Sequence, residues 1–174
     1  LGWQWLGAED RGYLTLTVAD QAELLGDTVM AKKVLKGFLL QQASGDVARK
    51  VRERLSAIQY ADGELHEVRA GLSWLLAKGE KAHYPVSYYY LGRALYRARD
   101  YSKADQAMEQ YIVSVKPLTK QRQPFLGDAY YVAASSLQQM GALRKSQELL
   151  ESALTVIPPE SLEQFWYKLG MIAL

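Results

Sequence analysis

Hydrophobic residues recur along most of this chain at intervals of three and four, the spacing that places side chains on one face of a helix. Four stretches of this kind each follow a short turn signal. The turn signals are Gly26-Asp27, Asp62-Gly63, Arg99-Asp100 and Gly141-Ala142. Another amphipathic segment of similar length precedes each turn. The pattern therefore predicts helical hairpins that repeat along the chain.

The clearest apolar ladder occupies the second half of the third hairpin. It consists of Ala104, Ala107, Met108, Tyr111, Ile112 and Val115. Similar ladders run over residues 146–157 and 31–39, and a looser one runs over residues 65–76. Because each hairpin exposes an apolar face that only the next hairpin can cover, such units are expected to stack into an array.

The hairpins resemble the tetratricopeptide repeat (TPR), in which a large residue precedes a Leu-Gly pair and small and large residues follow in the second helix. The match is carried by Tyr88-x-x-Leu91-Gly92, Ala104, Met108 and Tyr111. The segment Trp166-x-x-Leu169-Gly170 begins the pattern again. The residues therefore favour a member of the TPR family.

The spacing of the repeats follows from the small residue of each first helix. These positions are Ala19, Ser56, Gly92, Ala134 and Gly170, at intervals of 37, 36, 42 and 36. The usual TPR period is about 34 residues. The repeats are therefore divergent ones of about 36 residues, with an insertion in the longest interval.

The resemblance implies an all-α fold, namely a right-handed superhelical array (α-solenoid) of antiparallel helix hairpins. Residues 1–11 are expected to end a preceding segment, and residues 12–174 to form a single TPR-like domain. Its predicted repeats are approximately 12–44, 49–81, 85–117 and 127–159, with a partial repeat at 163–174. The apolar segment at 163–174 and the lack of a Met before Leu1 suggest a piece of a longer repeat protein.

Three consecutive tyrosines, Tyr88, Tyr89 and Tyr90, cannot share one environment, because successive helix residues point about 100° apart. Tyr88 is predicted to be the core residue. The resemblance implies that Tyr89 faces a concave groove lined by the first helices, with packing on the neighbouring hairpin as the alternative for Tyr89 and Tyr90. The candidate groove residues are Tyr89, Arg93, Tyr96, Arg97, Tyr131, Gln138 and Tyr167.

Tyrosine and arginine give large contact areas with polar tips, which is why they dominate binding hot spots. The resemblance thus implies a non-catalytic protein-interaction scaffold, whose partner is an extended or helical segment with acidic and apolar residues. The asparagine-containing clamp with which related repeats hold chaperone C-termini is excluded, because the chain has no asparagine. The alternatives are a structural spacer in a bacterial secretion or polysaccharide-export system, and a carbohydrate or polyanion site.

The composition and the motifs of the chain argue against several other classes of function. A formal net charge of +2 gives no general reason to expect nucleic acid. Cysteine is absent, and the two histidines, His66 and His83, lack further ligands at metal spacing, so neither a metal nor a cofactor is expected. No catalytic motif is present, so an enzyme is not expected. No apolar run approaches the ~18 residues of a membrane span. The compartment stays open, with the bacterial periplasm or envelope favoured over the cytoplasm.

The last segment, residues 163–174, is rich in large apolar residues such as Phe165 and Trp166. A terminal repeat normally presents a polar face to water. We therefore expect this helix either to cover the preceding hairpin or to mediate self-association.

Overall fold

A computed structural model describes residues 5–41, 44–73, 75–76, 85–115, 123–159 and 162–173. Within these ranges the chain forms helices and no strand. The helices are α1 (Ala8–Leu24), α2 (Thr28–Gln41), α3 (Asp46–Ala61), α4 (Leu65–Leu72), α5 (Pro85–Arg97), α6 (Tyr101–Val115), α7 (Leu126–Gln139), α8 (Leu143–Leu154) and α9 (Glu163–Ala173). His83 and the predicted repeat ends at 81 and 117 lie outside the described residues.

The chain divides into two compact units, Leu1–Gly71 and Leu72–Leu174. The first contains α1, α2, α3 and nearly all of α4, and the second contains α5 to α9. Helix α1 begins at Ala8, so residues 8–11, expected to end a preceding segment, are part of the first hairpin. The predicted single domain over residues 12–174 stays a prediction.

Four turns join the helices of the hairpins, and they share one backbone geometry. Each contains a residue with positive φ, namely Gly26, Gly63, Arg99 and Gly141. In the first turn, the Asp27 amide donates to the Ala22 carbonyl at 2.8 Å and the Gly26 amide to the Glu23 carbonyl at 2.9 Å. The other three turns repeat both bonds. This pair of bonds is the Schellman motif, which satisfies carbonyls that the helix end leaves free.

The core of the first unit is an apolar cluster contributed by α1, α2 and α3. Its fully buried centre includes Ala19, Ala31, Leu35 and Val51. Gly12 in α1 allows a close approach to α3, since a Cβ atom at this position would overlap the side chain of Val47. Small residues therefore set the distance between these helices.

The core of the second unit contains the entire ladder from Ala104 to Val115, as predicted. Tyr88 is fully buried, and its hydroxyl donates to the Leu75 carbonyl at 3.3 Å. At Gly92 a Cβ atom would lie 2.9 to 3.1 Å from three atoms of Met108, so α5 and α6 cross closely there. In the next hairpin, the Ser146 hydroxyl donates to the Ala134 carbonyl at 2.9 Å and bridges the equivalent crossing.

The third turn differs from the others because Arg99, with φ 62°, occupies the left-handed position that glycine fills elsewhere. A side chain in this conformation costs roughly 1 kcal/mol. We expect Arg99→Gly to stabilise the protein by about 0.5–1 kcal/mol, the gain being reduced by the extra freedom of glycine in the unfolded chain. Denaturant unfolding measures the change.

The matched control is Gly141→Ala, which introduces a side chain at φ 75° where no neighbouring atom lies within 4 Å. This variant should lose about 1 kcal/mol through backbone strain alone. A loss of stability in Arg99→Gly would show that the arginine contributes more to the turn than its conformation costs.

Candidate functional site

The predicted site residues all lie on the first helices of the second unit, α5, α7 and α9. These helices are neighbours, because Tyr89 of α5 contacts Asp128 of α7 and Tyr131 of α7 contacts Phe165 of α9. We call the side chains that they present together the first-helix surface. It comprises Tyr89, Arg93, Tyr96, Arg97, Asp128, Tyr131, Gln138, Tyr167 and Lys168.

Tyr89 differs from its expected position in an open groove, since it is only 8% exposed. Its ring stacks on Phe125, with centroids 4.4 Å apart and planes inclined by 14°. Its hydroxyl donates to Asp128 Oδ2 at 2.9 Å. Tyr89 therefore packs on the neighbouring hairpin, which was the alternative left open by the sequence.

Asp128 also binds the second candidate residue of α5. Arg93 Nη1 lies 2.6 Å from Asp128 Oδ1, and about a quarter of the arginine side chain remains exposed. One carboxylate thus accepts hydrogen bonds from a phenol and a guanidinium, both charge-assisted because the acceptor is ionised. Since Asp128 lies in the first turn of α7, the helix dipole also favours its negative charge.

An aromatic cluster surrounds Tyr89. Tyr90 meets it edge to face at 5.4 Å, and Tyr111 from α6 lies 5.7 Å away. Burial raises the pKa of the Tyr111 phenol to about 12, because the anion would lose its hydration. The three tyrosines of α5 thus contribute mainly to packing within and between hairpins.

Tyr131 occupies the position of Tyr89 in the next hairpin and is partly exposed. The ring of Phe165 approaches it edge to face at 6.4 Å, and Lys168 Nζ lies 4.4 Å from its centroid. The second contact is a cation–π interaction. Burial lowers the pKa of Lys168, since the ammonium group loses part of its hydration here.

The remaining candidate residues keep accessible surface. Tyr96 is partly exposed and meets Tyr101 edge to face at 5.6 Å, while Arg97 lies exposed in the last turn of α5. Gln138 is partly exposed near the end of α7. Tyr167 of α9 is 72% exposed. The structure thus divides the seven candidates into a packed part around Asp128 and an accessible part.

Three residues of this region, Phe125, Asp128 and Lys168, were not predicted from the sequence. A signal for Asp128 was present, because it precedes Tyr131 by three residues and so lies one turn earlier on the same face of α7. Its partners on α5 are 35 and 39 residues away. To predict these contacts, one must know how far one hairpin is shifted along the next. The lengthened repeat interval between Gly92 and Ala134 concealed this shift.

A separate cleft lies between the second helices α6 and α8, with α7 as its floor, and has a volume of about 420 Å³. We call it the second-helix cleft. It is lined by Asp105, Glu109, Ile112, Ala133, Leu137, Lys145, Glu148, Leu149 and Ser152. Burial and the negative charge of Glu109 raise the pKa of Asp105 to about 6, although Lys145 acts in the opposite direction.

Solved structures with a similar helical repeat fold are known. A putative kinesin light chain of Podosopora anserina with nearly identical TPR-like repeats aligns with a TM-score of 0.67 and 18% identity, over 93% of this chain and 86% of that one. The MamA protein aligns with a TM-score of 0.70 and 17% identity, over 94% and 85%. This chain has a TPR-like repeat fold. The all-α fold class and the TPR resemblance inferred from the sequence are therefore confirmed.

A single-substitution variant of the same TPR-like protein of Podosopora anserina aligns with a TM-score of 0.70 and 17% identity, over 96% of this chain and 87% of that one. No protein-family model and no curated protein sequence matches the chain. Identities this low establish the TPR-like fold alone.

Membrane spans and metal clusters are both absent from the described ranges. None of the helices there combines the length and the apolar character needed to cross a membrane. In the same ranges, acidic and histidine side chains do not gather in groups of three or more that could hold a metal ion.

The raised pKa of Asp105 in the TPR-like second unit predicts a pH-dependent stability. Below pH 3.8, which is the pKa of this carboxyl in the unfolded chain, the group is protonated in both the folded and the unfolded state and does not affect the free energy of unfolding. Between this value and about 6 the unfolded state ionises first, so the folded state loses stability as the pH rises. Asp105→Asn should therefore stabilise the protein at neutral pH by no more than about 1 kcal/mol, since solvent screens this half-buried group.

Thermal unfolding at pH values above 6 and near 4 measures this effect. The gain of Asp105→Asn should shrink towards the lower pH. Glu163→Gln, which removes an exposed carboxylate from the start of α9, serves as the control for a change in net charge. If Asp105→Asn raised the thermal stability equally at both pH values, burial would not be what destabilises the ionised carboxylate.

Proposed function

We propose that the second unit serves as a protein-binding scaffold and that its partner contacts the accessible part of the first-helix surface. TPR-like repeats generally bind other proteins, and solenoid repeats use the extended surfaces that their stacking creates. The observation that supports this role here is the accessible surface of Tyr96, Arg97 and Tyr131, to which Tyr167 of α9 adds a further ring. No catalytic role is proposed.

The chemistry of this surface favours a partner segment with aromatic or aliphatic side chains and at least one acid. Asp128 forms an ion pair with Arg93, and the exposed Arg97 and, less strongly, Lys168 add positive charge to this surface. The exposed tyrosine rings supply apolar area with hydroxyl groups at their rims. An extended or helical segment could use both kinds of contact.

The test compares three immobilised proteins, namely the native chain, an Arg97→Glu/Tyr167→Ala variant and a Lys36→Glu/Tyr13→Ala control. The control makes the same change in charge at an exposed lysine of α2 and removes an exposed tyrosine of α1. Equal thermal stability of the three is checked first. Proteins retained from a lysate of the source cell are then identified by mass spectrometry and titrated against each purified variant.

The proposal predicts a partner protein that binds the native chain and the control with equal affinity. The Arg97→Glu/Tyr167→Ala variant should bind this partner at least about tenfold more weakly, a difference of about 1.4 kcal/mol in binding free energy. Identical retention by all three would contradict it and favour the spacer alternative. Binding of a sugar or polyanion with a steep salt dependence would favour the alternative of a carbohydrate or polyanion site.

Self-association through residues 163–174 is a second possibility that a specific observation favours. Phe165 is fully buried and covers the preceding hairpin, but Trp166 and Met171 remain 58% and 59% exposed. Light scattering must therefore accompany the titration, because a dimer formed through α9 would cover Tyr167.

A further inference from the structure

The second-helix cleft has an apolar floor between two polar walls. Ala133 and Leu137 of α7 form the floor, and Ile112 extends it along α6. These three side chains are nearly buried, with 1%, 8% and 7% exposed. An aliphatic side chain that entered the cleft would therefore replace water over apolar surface.

The α6 wall carries two carboxylates one helical turn apart. Asp105 and Glu109 face the cleft together, and neither forms an ion pair with any other residue in the described ranges. Like charges at this spacing destabilise a helix. A cation placed between them would remove this repulsion.

The α8 wall does not supply that cation at close range. Lys145 lines the cleft but lies beyond ion-pair distance from both carboxylates. Glu148 adds a third acid on this wall, and Arg144 binds it at 3.0 Å on the exposed side of α8. With Glu148 paired to Arg144, the two carboxylates Asp105 and Glu109 still outnumber Lys145, so the net charge at the cleft is negative.

We propose that the second-helix cleft is a docking site for a partner segment that presents a lysine or arginine next to an aliphatic side chain. The cation lies between Asp105 and Glu109, and the aliphatic group rests on Ala133 and Leu137. Charge complementarity selects this occupant, since an acidic segment or a nucleic acid would be repelled by the same carboxylates. The proposal does not depend on the first-helix surface, because none of that surface's residues lines this cleft.

The raised pKa of Asp105 agrees with this arrangement. Its carboxylate is half-buried and lacks a close cation, so its charged form is disfavoured in the free protein. A bound ammonium or guanidinium group would favour the ionised form.

The experiment is an NMR titration of the full ¹⁵N-labelled chain with an amphipathic peptide of leucine and lysine. Amide shifts are expected at Asp105, Glu109, Ala133 and Lys145. The Asp105→Asn/Glu109→Gln variant keeps the side-chain shapes and should bind this peptide about tenfold more weakly. Lys145→Gln removes a positive charge that repels the lysines of the peptide, so this variant should bind the peptide a few-fold more tightly.

The control variant is Glu9→Gln/Glu67→Gln, which makes the same change in net charge at two exposed positions of the first unit. It should bind the peptide as the native chain does. A peptide with glutamate in place of lysine should produce no shifts at the cleft. Thermal unfolding verifies that every variant is folded.

Three outcomes would overturn the proposal. The first is an equal loss of affinity in both double variants, which would indicate attraction by net charge alone. The second is shifts that centre on other residues. The third is the same shifts produced by calcium ions without peptide, which would make the carboxylates a cation site rather than a protein-docking site.

Discussion

Asp128 connects two successive hairpins of the second unit and decides which part of the first-helix surface remains available. Its two oxygens accept hydrogen bonds from the Tyr89 hydroxyl at 2.9 Å and from Arg93 at 2.6 Å. Both donors belong to α5, so the part of that helix that carries them is fixed to α7. The accessible tyrosine and arginine side chains, Tyr96 and Arg97, lie one to two turns further on.

Close crossings within each hairpin make this arrangement possible. At Gly92 the two helices approach until an added Cβ would touch Met108, and Ser146 bonds directly to the backbone of α7. These contacts fix the rotation of each first helix about its axis. Once Tyr88 points into the core, Tyr89 must point towards the next hairpin, where it meets Asp128 and Phe125.

Local features of the fold followed from the sequence because they depend on residues close together in the chain. The ladder from Ala104 to Val115 is buried throughout, and all four predicted turns have the same helix-ending geometry. The surroundings of Tyr89 did not follow, since its hydroxyl bonds to a residue 39 positions away. The burial of Asp105 was hidden for the same reason, because α8 closes the cleft around it.

A double-mutant cycle of Tyr89→Phe and Asp128→Ala, followed by denaturant unfolding, tests the connection between the hairpins most directly. Tyr89→Phe removes only the hydroxyl, so the cycle isolates its bond to the carboxylate. A coupling free energy of about 1 kcal/mol is expected for a partly buried, charge-assisted hydrogen bond. Additive effects within about 0.3 kcal/mol would contradict the account. The Tyr89 hydroxyl would then contribute nothing to the connection between α5 and α7.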